Sequence, residues 1–330
     1  MQAYWYEQKG AAGDVLRFDD MPTPEPGSGE VRVRVARSAI NPTDCKRREI
    51  GRELDAFPRI IPNNDGSGII DAVGGGVDEG RVGERVWIFG AQAMRPFGTA
   101  AEYCVIPSDQ ARHLGDTASF DDGACLGVPA VTAHRAVFAD GNVDGKVVLV
   151  SGAAGRVGAY AVQLAKLAGA LVIATAGPAE KVAYVKSLGA DHALSYRDGD
   201  LAACVAEVTD GRGVDRMIDV AFGVNVAQAP SLIRVNGTLT SYGSDAEKTP
   251  VLPFYEFMYK NILIRPFAIF GMPADAKQAA FRDIEKHLAD GALTHRIDKR
   301  FTFDDMVAAH EAIEGGDLFG CCVVTVDESR

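Results

Sequence analysis

One stretch, VVLVSGAAGRVGAYAVQLAKLAGALVIATA (147–176), limits the possible folds of this chain more than any other. VVLV is an uninterrupted apolar strand pattern, and ALVIATA is a second one. Between them Val157, Ala161, Leu164 and Ala168 recur at spacings of four, three and four, which is one face of a helix. The turn between the first strand and the helix, AAGRVG (153–158), nearly fits Gly-x-Gly-x-x-Gly, with Ala153 at the first glycine. In that strand–turn–helix context the turn is a phosphate cradle for a dinucleotide. Gly155 allows a pyrophosphate to approach the backbone, and Gly158 lets the helix lie close on its strand. The free N–H groups and the dipole of the helix start then face the anion. Arg156 in the first helical turn opposes the dipole by roughly 0.3–1 kcal/mol, which a bound phosphate would offset. Arg156 is thus either a phosphate contact or a tolerated surface residue.

The end of the second strand indicates which dinucleotide. An NAD site calls for a carboxylate about 20 residues past the turn, on the ribose hydroxyls. Here the strand ends in Thr175, Ala176 and Gly177, Lys181 follows on the next helix, and Tyr196-Arg197 closes the third strand. A neutral strand end with a nearby cation suits a 2′-phosphate, so NADPH is expected, although Glu180 stands beside Lys181.

The same alternation continues through HALSY, DRMIDVA, GTLTSYG and ILIRPFAIF, so that six apolar strands separated by helices occupy 128–270. Such strands form a parallel sheet covered on both faces, a doubly wound (Rossmann) α/β fold. The first 127 residues differ. EVRVRVARSAI (30–40) alternates with period two, SGIIDAVG, ERVWIFG and AEYCVIP follow, and Gly/Pro turns such as MPTPEPGSGE punctuate them, which is a β-rich unit. After 271 a long helix is expected over ADAKQAAFRDIEKHLADG, then KRFTFDD, then a shorter helix over DDMVAAHEAIEGG with Thr302 or Asp304 as candidate cap, then a last strand, FGCCVVTV. A length of 330 residues accommodates these as two domains.

With 34 basic and 45 acidic residues and a net charge of −11, the chain is not built for a nucleic-acid or anionic-membrane partner. No apolar run reaches the ~20 residues of a membrane span, and no signal peptide is visible at MQAYWYEQKG, so a cytoplasmic location is expected. The six cysteines form no Cys-x-x-Cys pair. Cys321 and Cys322 are adjacent in a strand pattern and are read as packing residues on opposite faces.

INPTD (40–44), NNDGSGIIDAVG (63–74), GVPAVTAHRA (127–136), the 151–170 run, LGADHALSYRDGD (188–200), SYGS (241–244) and IRPF (264–267) occur in the order seen in medium-chain dehydrogenases/reductases. Among these the chain resembles the zinc-free quinone oxidoreductases of the ζ-crystallin-like branch over nearly its full length. The resemblance implies a GroES-like catalytic domain, residues 1–127 plus 271–330, with the nucleotide-binding domain 128–270 inserted, and an active site in the cleft between them. It also implies a homodimer paired through the last strand of the nucleotide domain, ILIRPFAIF.

By the same resemblance Asn41 and Thr132 lie near the nicotinamide and its ribose, while Ala154, Gly155, Arg156 and Val157, with Gly158, hold the pyrophosphate. Thr175, Lys181 and Tyr196 belong to the 2′-phosphate and adenine side, and Tyr242, Gly243, Ser244 and Phe267 to the nicotinamide end. Asn41, Lys46 and Arg265 are the candidate catalytic residues. Where family members often carry a Tyr, this chain has Lys46, which is either a proton donor or a surface residue of CKRRE. Arg265 either faces the cleft or forms a structural ion pair, and His134 in TAHRAV reads as a packed histidine.

Zinc-dependent relatives place a Cys and a Gly-His-Glu motif where this chain has Asn41-Pro42 and Asn64-Asp65, and amides are poor Zn²⁺ ligands, so no metal site is expected. The expected function is NADPH-dependent, zinc-free hydride transfer to quinones or α,β-unsaturated carbonyls. Two alternatives stay open: an enone or enal reductase using Lys46, and a non-catalytic NADPH-binding sensor or structural protein.

Overall fold

The structure is a computed structural model that describes residues 1–327 and 329. The chain forms two compact units, one of Met1–Val128 with Phe281–Arg330 and one of Pro129–Ala280. The return to the first unit comes at 281 rather than at 271, inside a helix that the sequence shows as one uninterrupted segment.

Strands are numbered along the chain. The first unit contains β1 (Gln2–Trp5), β2 (Arg17–Asp20), β3 (Glu30–Ile40), β4 (Asp65–Val73), β5 (Arg85–Ile88), β6 (Tyr103–Pro107) and β7 (Ala111–His113). The second contains β8 (Val147–Val150), β9 (Leu171–Ala176), β10 (His192–Ser195), β11 (Val214–Asp219), β12 (Ile233–Ser241) and β13 (Leu263–Pro266), and β14 (Ile297–Thr302) and β15 (Cys321–Thr325) belong to the first. Helices of six or more residues are α1 (Pro42–Ile50), α2 (Phe120–Phe138), α3 (Arg156–Leu167), α4 (Ala179–Ser187), α5 (Leu201–Val208), α6 (Phe254–Tyr259), α7 (Ala274–Ala289) and α8 (Met306–Glu314).

The catalytic unit is built on a sheet in the order β14-β15-β3-β4-β5-β7, with β6 paired to β3, while β1 and β2 pair with each other. The period-two reading of β3 matches its burial: Val31, Val33 and Val35 are fully buried among Ile70, Val86, Ile88, Cys104 and Ile106. Each such side chain removed from water contributes roughly 1.5–3 kcal/mol. Cys322 packs with Ile40 and Met306, whereas Cys321 packs with Ala39, Ala124 and Cys125. The two neighbours do face opposite sides of the strand. The expected cap of the last helix differs. A 3-10 turn over Phe303–Asp305 intervenes, so α8 starts later, and the Thr302 hydroxyl donates instead to Asp305 Oδ2 at 2.7 Å.

In the nucleotide unit six strands, all parallel, follow the order β10-β9-β8-β11-β12-β13. Their order reverses between β8 and β11, which is where open α/β sheets bind ligands. Val148, Leu149 and Val150 are fully buried, as a central strand covered on both faces requires. α3 buries eight consecutive residues, Gly158–Ala165, a wider contact than its spacing of Val157, Ala161, Leu164 and Ala168 suggested. His134 is packed, its ring 4.6 Å from that of Phe138.

Candidate active site

The register of the parallel sheet aligns its carboxyl ends. Val150 pairs with both Ala174 and Ile218, Ala176 with Ser195, and Ser241 with both Asp219 and Pro266. The residues just beyond these pairs therefore share one edge of the sheet: the turn after Ser151, Thr175–Gly177, Tyr196, Tyr242–Ser244 and Phe267. Twelve of the fourteen nucleotide-site positions, all but Asn41 and Thr132, lie in or beside the turns of this edge, Lys181 on the α4 that follows β9 included.

The first turn is shaped by backbone. Gly152 has φ +60, the left-handed conformation that favours glycine, so the special position is Gly152 rather than the buried Ala153 that the fingerprint aligned there. A Cβ on Gly158 would lie 2.6 Å from the Gly152 oxygen and 2.7 Å from the Ala153 Cα, so α3 can approach the turn only with glycine there. At Gly155, the N-cap, a Cβ would come within 3.3 Å of the same oxygen. No side chain caps the helix, and its opening residues Arg156, Val157 and Gly158 present the start of a twelve-residue helix to the edge. The cradle fits a pyrophosphate. At the end of β9, Thr175 is buried and its carbonyl accepts from Ala153 N–H at 2.8 Å. Tyr196 is 60% exposed, and its hydroxyl lies where a Cβ on Gly177 would be 2.9 Å away, so the ring flanks a bare strand end.

Beneath the turn is a polar cluster that sequence reading missed. Asp219, fully buried at the end of β11, accepts from the Ser151 hydroxyl and from Asn225 Nδ2 (2.7 Å) through Oδ1, and its Oδ2 is buried with no hydrogen-bond partner. Burial, followed by the Asp219 charge, pushes the Tyr242 hydroxyl well above the usual tyrosine range. The only signal was the acid closing DRMIDVA.

In the catalytic unit, Asn41 is the N-cap of α1 and is 5% exposed. Its backbone N–H donates to Asp44 Oδ2 and its Nδ2 to Asp65 Oδ2, both at 2.7 Å. Asn64 Nδ2 donates to Asp44 Oδ1 at 2.6 Å. Both asparagine amides thus turn their nitrogens toward carboxylates, and among the described residues no three His, Cys, Asp or Glu side chains converge to hold a metal. The residues do not fit a zinc ion at this place.

Of the other two candidate catalytic residues, Lys46 is on α1 and Arg265 on β13. Lys46 is exposed, because α1 turns Asp44, Cys45, Arg47 and Arg48 inward and leaves position 46 on the outer face. Arg265, on β13, holds Asp140 through Nε (2.9 and 2.8 Å to the two oxygens) and Nη2 (2.5 Å), and the Asp140 hydrogen bond raises its already high pKa further. That is a structural ion pair within the nucleotide unit. Thr132 is buried on α2, four residues after Val128.

Comparison with known proteins agrees with these units. Residues 27–116 match the alcohol dehydrogenase GroES-like domain and residues 157–286 the zinc-binding dehydrogenase domain. A chloroplastic quinone-oxidoreductase homolog of Spinacia oleracea is 34% identical over 233 residues, covering 68% of this chain and 69% of that protein. Among solved structures, an NAD-dependent alcohol dehydrogenase superposes with TM-score 0.88 at 28% identity, over 99% of this chain and 100% of the other. A mycobacterial protein solved with NADPH superposes with TM-score 0.84 at 25% identity and the same coverage. With its GroES-like and parallel-sheet units and the glycine turn at the carboxyl edge, the chain is an oxidoreductase that belongs to the quinone oxidoreductase-like branch of the medium-chain dehydrogenase/reductase superfamily.

Proposed function

We propose that the protein reduces quinones or related α,β-unsaturated carbonyls with NADPH and without zinc. The observation that supports this most directly is the carboxyl edge of the nucleotide sheet. There a glycine-built cradle is followed by a strand end, Thr175–Gly177, that has no carboxylate of its own and is flanked by Tyr196 and the Lys181 helix. A nicotinamide cofactor supplies the hydride when bound. Gly155 and the opening N–H groups of α3 would hold its pyrophosphate, with Ala154, Arg156 and Val157 around it, and Lys181 and Tyr196 its 2′-phosphate. Tyr242, Gly243, Ser244 and Phe267 would line the nicotinamide end, joined by Asn41 and Thr132.

An acceptor that is already electron-poor suits a site where Arg265 is bonded to Asp140, Lys46 lies on the outer face of α1, and the amides of Asn41 and Asn64 are poor metal ligands. Quinones and enones meet that requirement. We further propose that two copies pair through β13, the sheet edge, beside which Phe254, Tyr255 and Tyr259 of α6 are exposed.

Following absorbance as NADPH or NADH is consumed with a naphthoquinone, an acyclic enone and an enal tests the reading. Faster turnover with NADPH and with at least one of these acceptors is expected. Equal or better turnover with NADH, or none with any acceptor, would refute it.

A further inference from the structure

The carboxylate of Asp65, the first residue of β4, is fully buried and no cation contacts it in the hydrogen-bond pattern it makes. Its Oδ2 accepts from Asn41 Nδ2 at 2.7 Å, and both oxygens accept from the backbone N–H of Val128, at 2.9 and 2.8 Å. Burial, and then the neighbouring charge of Asp44, pushes this carboxyl well above the usual carboxylate range. A carboxyl kept in such a place opposes stability where a packed apolar side chain would not, so a role in orientation is the physical reading of its presence.

What it holds is a break in a helix. Within α2, Gly127 has φ −8 and ψ −115, far from helical values, and Pro129 follows. A Cβ at Gly127 would lie 2.0 Å from Asp65 Oδ1, so the kink and the carboxylate fill the same space. Val128 N–H, released from the helical ladder by the kink, is taken up by Asp65. Thr132 is one turn further along that segment. The same carboxylate fixes the side chain that caps α1.

We propose that Asp65 is a positioning residue for the nicotinamide end of the cofactor, acting through Asn41 and through the Val128 segment that carries Thr132. The inference rests on the reading of Asn41 and Thr132 as nicotinamide-side residues. It reaches beyond that reading by making one buried carboxyl responsible for the placement of both.

The test compares two ligands on Asp65→Asn: NADPH, and 2′-phospho-ADP-ribose, which keeps the pyrophosphate and 2′-phosphate but has no nicotinamide. Loss of a hydrogen bond at a buried carboxyl predicts an NADPH dissociation constant raised about tenfold, with the fragment held within about twofold of the native value. Hydrogen exchange of the amides at 128–132 is expected to accelerate. Equal weakening of both ligands, which a merely structural role would give, or no weakening of either, overturns the proposal. If Asp65→Asn does not fold, Asp65→Glu keeps the carboxyl but forces one methylene into the space beside Gly127, and the same selective loss is required of it. Asn41→Ala and Thr132→Val, titrated alongside, test the underlying reading separately. If neither changes NADPH affinity, those two assignments fail and the route through them is overturned, even if Asp65→Asn is selective.

Discussion

The candidate residues of the two units are set in different materials. The nucleotide unit uses backbone: a left-handed Gly152, a Gly158 with no room for a side chain, an uncapped helix start and a bare strand end at Gly177. The catalytic unit uses buried polar side chains. Asn41, Asp44, Asn64 and Asp65 are each at most 5% exposed, and nearby on α1 Arg47 bonds Gln92 and pairs with Glu53 while Cys45 meets His310. A cradle of glycines tolerates no added atom at its tightest point, and a buried polar network tolerates no unmatched charge. The two kinds of site should therefore fail in different ways.

The largest difference is expected within the cradle. Gly158→Ala sets a Cβ against two backbone atoms that cannot turn aside, and should lower unfolding stability by about 2–3 kcal/mol and abolish measurable NADPH binding. Gly155→Ala, with a single contact at 3.3 Å, should cost less than about 1 kcal/mol of stability. Urea unfolding and cofactor titration of the pair measure the contrast, and equal effects would remove the distinction between the two glycines.

The polar network should respond to pH instead. His310 is fully buried, and burial, with a smaller contribution from Arg48, pushes its pKa down to about 3. Its folded form therefore stays neutral where the unfolded chain, with a pKa near 6.5, takes up a proton. The unfolded state binds more protons in that window, so this stability is complete above about pH 6.5 and is lost as pH falls toward 3, with a slope of up to about 1.4 kcal/mol per pH unit. The difference between native and His310→Gln unfolding curves across pH 4–7 should show that slope. A constant offset would contradict the assignment.

Cofactor choice gives a smaller effect at the other end of the nucleotide edge. Lys181→Ala should reduce the preference for NADPH over NADH about tenfold, by loss of one charge-assisted contact. An unchanged preference would exclude Lys181 from the 2′-phosphate site. Smaller still is the ion pair on β13. Arg265→Ala leaves Asp140 without its guanidinium and should cost about 1 kcal/mol in thermal unfolding while kcat stays within about twofold. A fall in kcat larger than the fall in stability explains would return Arg265 to the chemistry.

The same contrast explains what was legible in the sequence. The six parallel strands, the turn at 153–158 and the full span of β3 could be read because glycine spacing and hydrophobic period are local signals. The position of the left-handed glycine was missed by one residue, since the fingerprint was aligned on Ala153 when Gly152 takes the turn. The catalytic-unit network was not legible. Asn41 meets Asp65 across 24 residues, Asp65 meets Val128 across 63, and Cys45 meets His310 across 265, and no local pattern announces such pairs. The alternatives for Lys46 and Arg265 stayed open in the sequence for the same reason: which face of α1 is buried, and that Arg265 meets Asp140, are tertiary facts.

The central claim is hydride transfer from NADPH with no metal to polarise the acceptor. It is tested most directly by measuring zinc content and quinone reduction on one sample, before and after dialysis against a strong chelator. The account predicts substoichiometric zinc and unchanged NADPH-dependent turnover. One zinc per chain, with turnover lost on chelation and restored by zinc, would contradict it.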